Sequence, residues 1–175
     1  MSQYPHELQP STFEVIELSN GRCVEIAKAT PRFQRWVGTA AINNYGSKAV
    51  LDFAGQPSFA ELLVLRLFEN SGWSGVWVDS FARRNRRYWG EDTSVALPGT
   101  AERMLNVIRD RDMKARCWDV FCWRDDEIFF AELKRKSHDR IRDSQRRWLA
   151  AALEEGLDLK SFLIVEWDLE TRETV

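Results

Sequence analysis

The stretch that most restricts the fold lies between residues 115 and 134. Residues 115–123 (Ala-Arg-Cys-Trp-Asp-Val-Phe-Cys-Trp) and 127–134 (Glu-Ile-Phe-Phe-Ala-Glu-Leu-Lys) are apolar and aromatic, and only Arg124-Asp125-Asp126 separates them. Two such runs joined by so short a polar turn predict an antiparallel hairpin. Side chains alternate between faces along a strand, so one pairing fixes all the others. If Trp123 pairs with Ile128, each step back toward residue 119 is matched by a step forward toward residue 132. Asp119 then stands opposite Glu132, and Lys134 shares the face of Glu132.

Two carboxylates and an ammonium converging at the end of an apolar hairpin repel one another in part when no ligand is present. A divalent cation removes the conflict, and hard oxygen ligands select Mg²⁺ or Mn²⁺. Such an ion suits hydrolysis of a phosphodiester, with Lys134 orienting or polarising the attacking water. The other reading of the same residues is a salt-bridge ladder on the sheet surface. Acidic-x-Lys triplets are cheap in a charged chain, and Asp112-Met-Lys114 and Asp158-Leu-Lys160 repeat the pattern. Neither belongs to a hairpin whose partner strand supplies a second acid.

Around this hairpin the pattern predicts an α/β protein. Residues 12–18 alternate, Ser19-Asn20-Gly21 supply a turn, and residues 23–27 resume extended character, which reads as an N-terminal β-hairpin. Residues 28–56 read as irregular. Ser58, with Glu61 three positions later, has the form of a capping box before the apolar helix formers of 59–68, and Gly72 ends that helix. A strand over 75–81 follows, then loop to Gly99, then a helix capped by Thr100 and reaching about Arg111. Residues 139–155 form a helix with Trp148, Leu149, Ala152 and Leu153 at core spacing, ended by Gly156, and 161–167 close as a strand. The 175 residues thus divide into an extension (1–56), a core unit (57–168) with an insert at 82–114, and a tail (169–175).

The net charge of −2 argues against nucleic acid until the charge is located along the chain. Residues 81–147 hold 17 Lys and Arg against 12 Asp and Glu, an excess of +5. Within them Arg83, Arg84, Arg86 and Arg87 flank Tyr88-Trp89, a composition fit to grip phosphates and stack on bases, or to stand as a solvated loop. Cys23, Cys117 and Cys122 have neither the number nor the spacing of a disulfide framework or zinc site, and read as small buried hydrophobes. The chain opens without a basic leader and an apolar segment, and no run approaches the roughly 18 apolar residues of a membrane span. The expectation is a cytoplasmic protein with no membrane.

The element order and Asp119…Glu132-Leu-Lys134 resemble the PD-(D/E)XK nuclease superfamily. Phe130-Ala-Glu-Leu-Lys134, then Asp139, Gln145, Trp148-Leu149, Gly156 and Phe162-Leu-Ile-Val165, resemble its virus-type replication–repair (VRR-NUC) branch over about residues 57–168. The resemblance implies a restriction-endonuclease-like fold, with a mixed central sheet flanked by helices, here with the N-terminal hairpin added. It implies a metal-dependent nuclease acting on DNA, with RNA left open and a homodimer allowed. Asp119 and Glu132 would bind Mg²⁺ or Mn²⁺ with the Leu133 carbonyl, Lys134 would be catalytic, and Gln145 would reach the site from its helix. In this superfamily an acid of the first helix often joins the metal site, so Glu61 reads either as that acid or as the capping-box partner of Ser58. Arg135, Lys136 and His138, in a loop more basic than the Gly-rich one expected, join the insert arginines as phosphate contacts. Trp118 stands where the family name has Pro. The alternatives from other classes are a catalytically silent module that binds nucleic acid or a protein, and a subunit of a repair or defence assembly.

Overall fold

The computed structural model describes residues 3–39, 48–79, 87–89 and 94–170. Its strands are β1 (Thr12–Glu17), β2 (Cys23–Ala29), β3 (Arg32–Phe33), β4 (Leu51–Phe53), β5 (Gln56–Ser58), β6 (Ser74–Asp79), β7 (Arg87–Trp89), β8 (Val120–Arg124), β9 (Glu127–Arg135) and β10 (Phe162–Leu169). The helices are α1 (Ala60–Asn70), α2 (Gly99–Arg111) and α3 (Asp143–Glu154). Seven strands form a mixed sheet in the order β1-β2-β10-β9-β8-β6-β7, and β3 pairs with the far end of β10. Strand β10 runs parallel to β2, β3 and β9, and the remaining neighbours in the sheet are antiparallel. The N-terminal hairpin therefore belongs to the same sheet as β6–β10.

Alternation along the strands sorts the core into two layers. Val120, Cys122, Phe129, Ala131, Leu133, Leu163 and Val165 face α1, with Leu65 and Phe68. Phe121, Phe130, Phe162 and Ile164 face α2 and α3, with Leu105, Ile108, Trp148 and Leu149. On this second face Phe130 stacks between Phe121 and Phe162, with centroids 4.9 and 5.6 Å away, and meets the edge of Trp148 at 5.7 Å. Even-numbered positions of β9 point toward α3, which assigns Glu132 and Lys134 to that face. This burial on both sides explains why the hairpin strands read as continuous apolar runs.

Local propensity predicted several boundaries that tertiary contacts moved. The first helix begins after Phe59, with no side-chain cap; Ser58 ends β5, and its hydroxyl donates to the Phe59 carbonyl. The expected capping box is therefore absent, and Glu61 does not serve as a cap partner. Pro98 takes the cap position expected of Thr100, which lies within α2. The last helix starts at Asp143 rather than Asp139, because residues 135–139 close a turn in which Asp139 Oδ2 accepts the Arg135 N–H at 3.1 Å and Ser137 adopts a φ of 62°. Residues 28–56 contain β3 and the small β4–β5 hairpin, and the insert adds β7 at the sheet edge. Strand β8 starts at Val120, so residues 115–119 approach it as irregular chain. Cys117 and Cys122 are buried as expected, but Cys23 is exposed. No helix among the described residues is long and apolar enough to cross a membrane.

Gly75 shows how closely α1 seats on the sheet. It pairs with Cys122 across β6 and β8, and a Cβ there would lie 2.7 Å from Cys122 Sγ, 2.8 Å from Leu65 Cδ1 and 2.9 Å from the Phe121 carbonyl oxygen. The backbone oxygen has no rotamer by which to retreat. Gly75→Ala is expected to cost about 1–3 kcal/mol through overpacking, read as a lower urea midpoint at an unchanged m-value. A parental midpoint would mean that α1 lifts from the sheet at no cost.

Candidate active site

The β8–β9 register is the one derived from alternation. Trp123 pairs with Ile128 and the ladder continues to Val120 opposite Ala131. Asp119 stands one step beyond it, opposite Glu132. Three contacts from the polypeptide fix Asp119 where β8 has not yet begun. Its carbonyl accepts the Val78 N–H at 2.8 Å, the Arg116 N–H binds the Ser144 carbonyl at 2.9 Å, and the Trp118 indole donates to the Gln145 carbonyl at 3.1 Å. Trp118 is fully buried against Phe162, 5.2 Å between centroids. Trp118 thus fastens the aspartate-bearing segment to the first turn of α3.

The side chains converge at this end of the hairpin. Asp119 Oδ2 accepts the Leu133 N–H at 3.0 Å. In an extended strand the N–H and C=O of one residue leave by the same edge, so the Leu133 carbonyl also faces the place where β8 ends. Lys134 Nζ donates to Glu132 Oε1 at 2.8 Å and to Gln145 Oε1 at 3.0 Å. Gln145 Nε2 donates to the same Glu132 oxygen, and Gln145 Oε1 also accepts the Arg142 N–H at 2.8 Å. That amide therefore joins the start of α3 to both charged groups of β9. Glu132 and Lys134 are 1% and 6% exposed, while Glu132 Oε2 is buried and receives no hydrogen bond.

Glu61, in the first turn of α1, approaches from the opposite layer. Its Oε1 accepts from Lys48 Nζ, and its negative charge is felt at Asp119. Burial first, and the Glu61 charge second, raise the Asp119 pKa to about 6, against the pull of the Leu133 N–H and the Lys134 ammonium. Burial and the neighbouring Asp119 charge raise Glu132 well above the usual carboxylate range. The pair is thereby drawn toward sharing one proton when no other cation is near.

A divalent cation fits this donor set in three respects: two adjoining carboxylates, a backbone carbonyl on the same side, and one buried carboxylate oxygen with no donor. Among the described residues no three acidic, His or Cys side chains stand together as a finished cage. The third acid, Glu61, is engaged by Lys48. Lys48 lies in the stretch read as irregular and carries no motif, so only the folded chain reveals it.

The predicted nucleic-acid contacts fare differently from one another. Lys136 and His138 are exposed in the turn after β9, on the route to α3. Arg135 leaves β9 on the opposite face, its guanidinium 5.5 Å from the Trp167 ring, and the fold does not bring it to the carboxylates. Arg87 begins β7, and Arg83, Arg84 and Arg86 lie outside the described residues. Exposed Arg140, Arg142 and Arg146, not singled out by the sequence patterns, extend the positive rim along the first turn of α3. Clefts of about 450 and 410 Å³ flank the other end of the hairpin, near Asp126 and Ile128, and none of the converging residues lines them.

The raised carboxyls have a measurable consequence. A carboxyl whose folded pKa exceeds its unfolded value contributes stability below the unfolded pKa, and that contribution is lost as pH rises through the folded pKa. For Asp119 the window runs from 3.8 to about 6. In chelator, Asp119→Asn is expected to raise stability at pH 8 by about 1–2 kcal/mol, a few degrees in Tm, and to change little at pH 4. Thermal melts of parent and variant across this range test it. An equal shift at both ends would mean that the carboxyl pair does not carry the pH dependence.

No protein-family model, no curated protein and no solved structure matches this chain.

Proposed function

We propose that the chain is a divalent-metal-dependent nuclease of PD-(D/E)XK type, related to the VRR-NUC branch, that hydrolyses phosphodiester bonds in DNA. One observation carries the reading: Asp119, Glu132, Lys134 and Gln145 meet at the open end of one hairpin, with a buried carboxylate oxygen of Glu132 left without a donor. A surface salt-bridge ladder does not account for this, because the Glu132–Lys134 pair is almost fully enclosed, where the desolvation of both ions offsets their attraction.

Asp119, Glu132 and the Leu133 carbonyl would hold Mg²⁺ or Mn²⁺, with Glu61, whose charge acts on Asp119, as the further acid proposed. The ion would supply Lewis-acid neutralisation of the charge that develops on the phosphate and favour ionisation of the attacking water. The protein's own groups do the positioning. Lys134, fixed from two sides by Glu132 and Gln145, presents an ammonium that orients the water or binds a non-bridging phosphate oxygen. Gln145 prevents Lys134 from collapsing wholly onto Glu132, since its carbonyl oxygen shares that ammonium.

Substrate charge complements the rim. Lys136, Arg140, Arg142 and Arg146 are exposed beside the site, and among the described residues no carboxylate pairs with them. Arg111, Arg124 and Arg147, in contrast, are each tied to acidic side chains. A row of exposed cations next to a hydrolytic site suits a polyanionic strand.

The deciding experiment is incubation with duplex, single-stranded, flapped and branched DNA in Mg²⁺, Mn²⁺ or chelator. Cleavage is expected only with a divalent ion. Lys134→Ala should lower the rate by at least about 100-fold while the chain still folds, at a lower Tm because Glu132 loses its buried counter-ion, and DNA binding stays near its parental value, because that ammonium acts on the transition state. Chelator-resistant cleavage, or full activity in Lys134→Ala, would refute the proposal. DNA binding without cleavage under every condition would favour the catalytically silent module.

Binding to the rim is tested separately. Replacing Arg140, Arg142 and Arg146 with Ala should weaken binding to all sequences alike and lower the slope of log K against log salt by about 0.9 for each duplex phosphate that is no longer neutralised. An unchanged slope would assign these arginines to solvent.

A further inference from the structure

Lys48 belongs to none of the motifs, yet the fold seats it at the site. Its ammonium donates to Glu61 and lies 5.5 Å from the centroid of the Phe59 ring. Phe59 meets Trp77 edge-on at 5.2 Å, and Trp77 pairs with Val120, the residue after Asp119. These contacts lock the start of α1, and Glu61 with it, against the end of β8. Among the described residues, this end of the hairpin thus gathers two adjoining carboxylates, the Glu61 carboxylate beyond them, and two ammoniums. Lys134 sits on Glu132, Lys48 sits on Glu61, and Asp119 takes a backbone N–H instead.

Glu61 and Lys48 have side chains only 17% and 31% exposed, so solvent screens the pair incompletely. A divalent ion reaching for Glu61 meets an ammonium already on that carboxylate, and two cations on one carboxylate repel. We propose that Lys48 is a resident competitor for the divalent cation, holding Glu61 until the ion displaces it. This rests on the metal-dependent reading above. Lysine suits such a role because its charge is compact and its stem flexible, so it can leave without dismantling a bidentate contact. The arrangement also explains why two acids are assembled in advance while the third is not.

The test uses the full chain, without nucleic acid, titrated with Mn²⁺ in a calorimeter and followed in parallel by thermal melting. Lys48→Gln is expected to bind Mn²⁺ about 10-fold more tightly than the parent, within the usual range for coupled sites. Glu61→Gln should bind it more weakly, and adding Lys48→Gln to Glu61→Gln should change nothing further. Lys48→Met, which keeps the apolar stem against Phe59, replaces Lys48→Gln if the latter melts early. Parental or weaker Mn²⁺ affinity in Lys48→Gln and Lys48→Met overturns the inference and leaves the metal site standing. So does a tightening that persists undiminished beside Glu61→Gln, which would be a general field effect. Failure of the parent to bind Mn²⁺ at all overturns the metal-dependent reading, and this inference with it.

Discussion

Two carboxylates side by side at the end of a hairpin, Glu132 enclosed and Asp119 half-buried, repel each other, and much of the surrounding architecture offsets that repulsion. Glu132 is held by an ammonium and an amide, Asp119 by a backbone N–H, and Glu61 by a second ammonium. These donors come from β9, from α3 and from the chain before β4. The cluster is therefore stable only when several long-range contacts are made together. A protein selected for stability alone gains nothing from enclosing like charges, and a fully apolar hairpin end would be cheaper. Retained instability of this kind is the usual mark of a functional site.

The aromatic layer on the α3 face supplies the rigidity that the polar cluster lacks. Phe121, Phe130 and Phe162 lie across three adjacent strands, and Trp118 and Trp148 close on them from the side. Trp118 contributes packing on one side and a hydrogen bond to the Gln145 carbonyl on the other. The polar residues proposed as the site are thus set in place by bulky aromatic groups, Trp118 among them.

What could be read from the chain follows from how local the governing interaction is. The β8–β9 register was legible because a short turn and period-2 alternation leave one pairing that buries both apolar faces. Gln145 was named only through the resemblance, and its position one turn before Trp148 on the same side of the helix is what carries it to the carboxylates. The insert strand β7 and the β4–β5 hairpin were not, since each strand is only three residues long and owes its existence to a partner. Ser58 failed as a cap because β5 claims it first. Lys48 was invisible for the same reason: its meaning depends on Glu61, and nothing in the spacing of the two residues announces a pair. Asp119, Glu132 and Lys134 were visible as a pattern, whereas their neutralisation by other residues was not.

The place of β10 has a consequence for how the molecule comes together. It lies between β2 and β9, pairing Ala27 with Leu163 on one side and Leu133 with Val165 on the other. The N-terminal hairpin leaves the ribosome well before the strand it docks against. Until residues 162–169 arrive, β2 presents an unpaired edge, and the closing step must join segments more than a hundred residues apart. Folding is then limited by a late, non-local event, of the kind that makes mixed sheets slow to form and leaves early strands in need of protection.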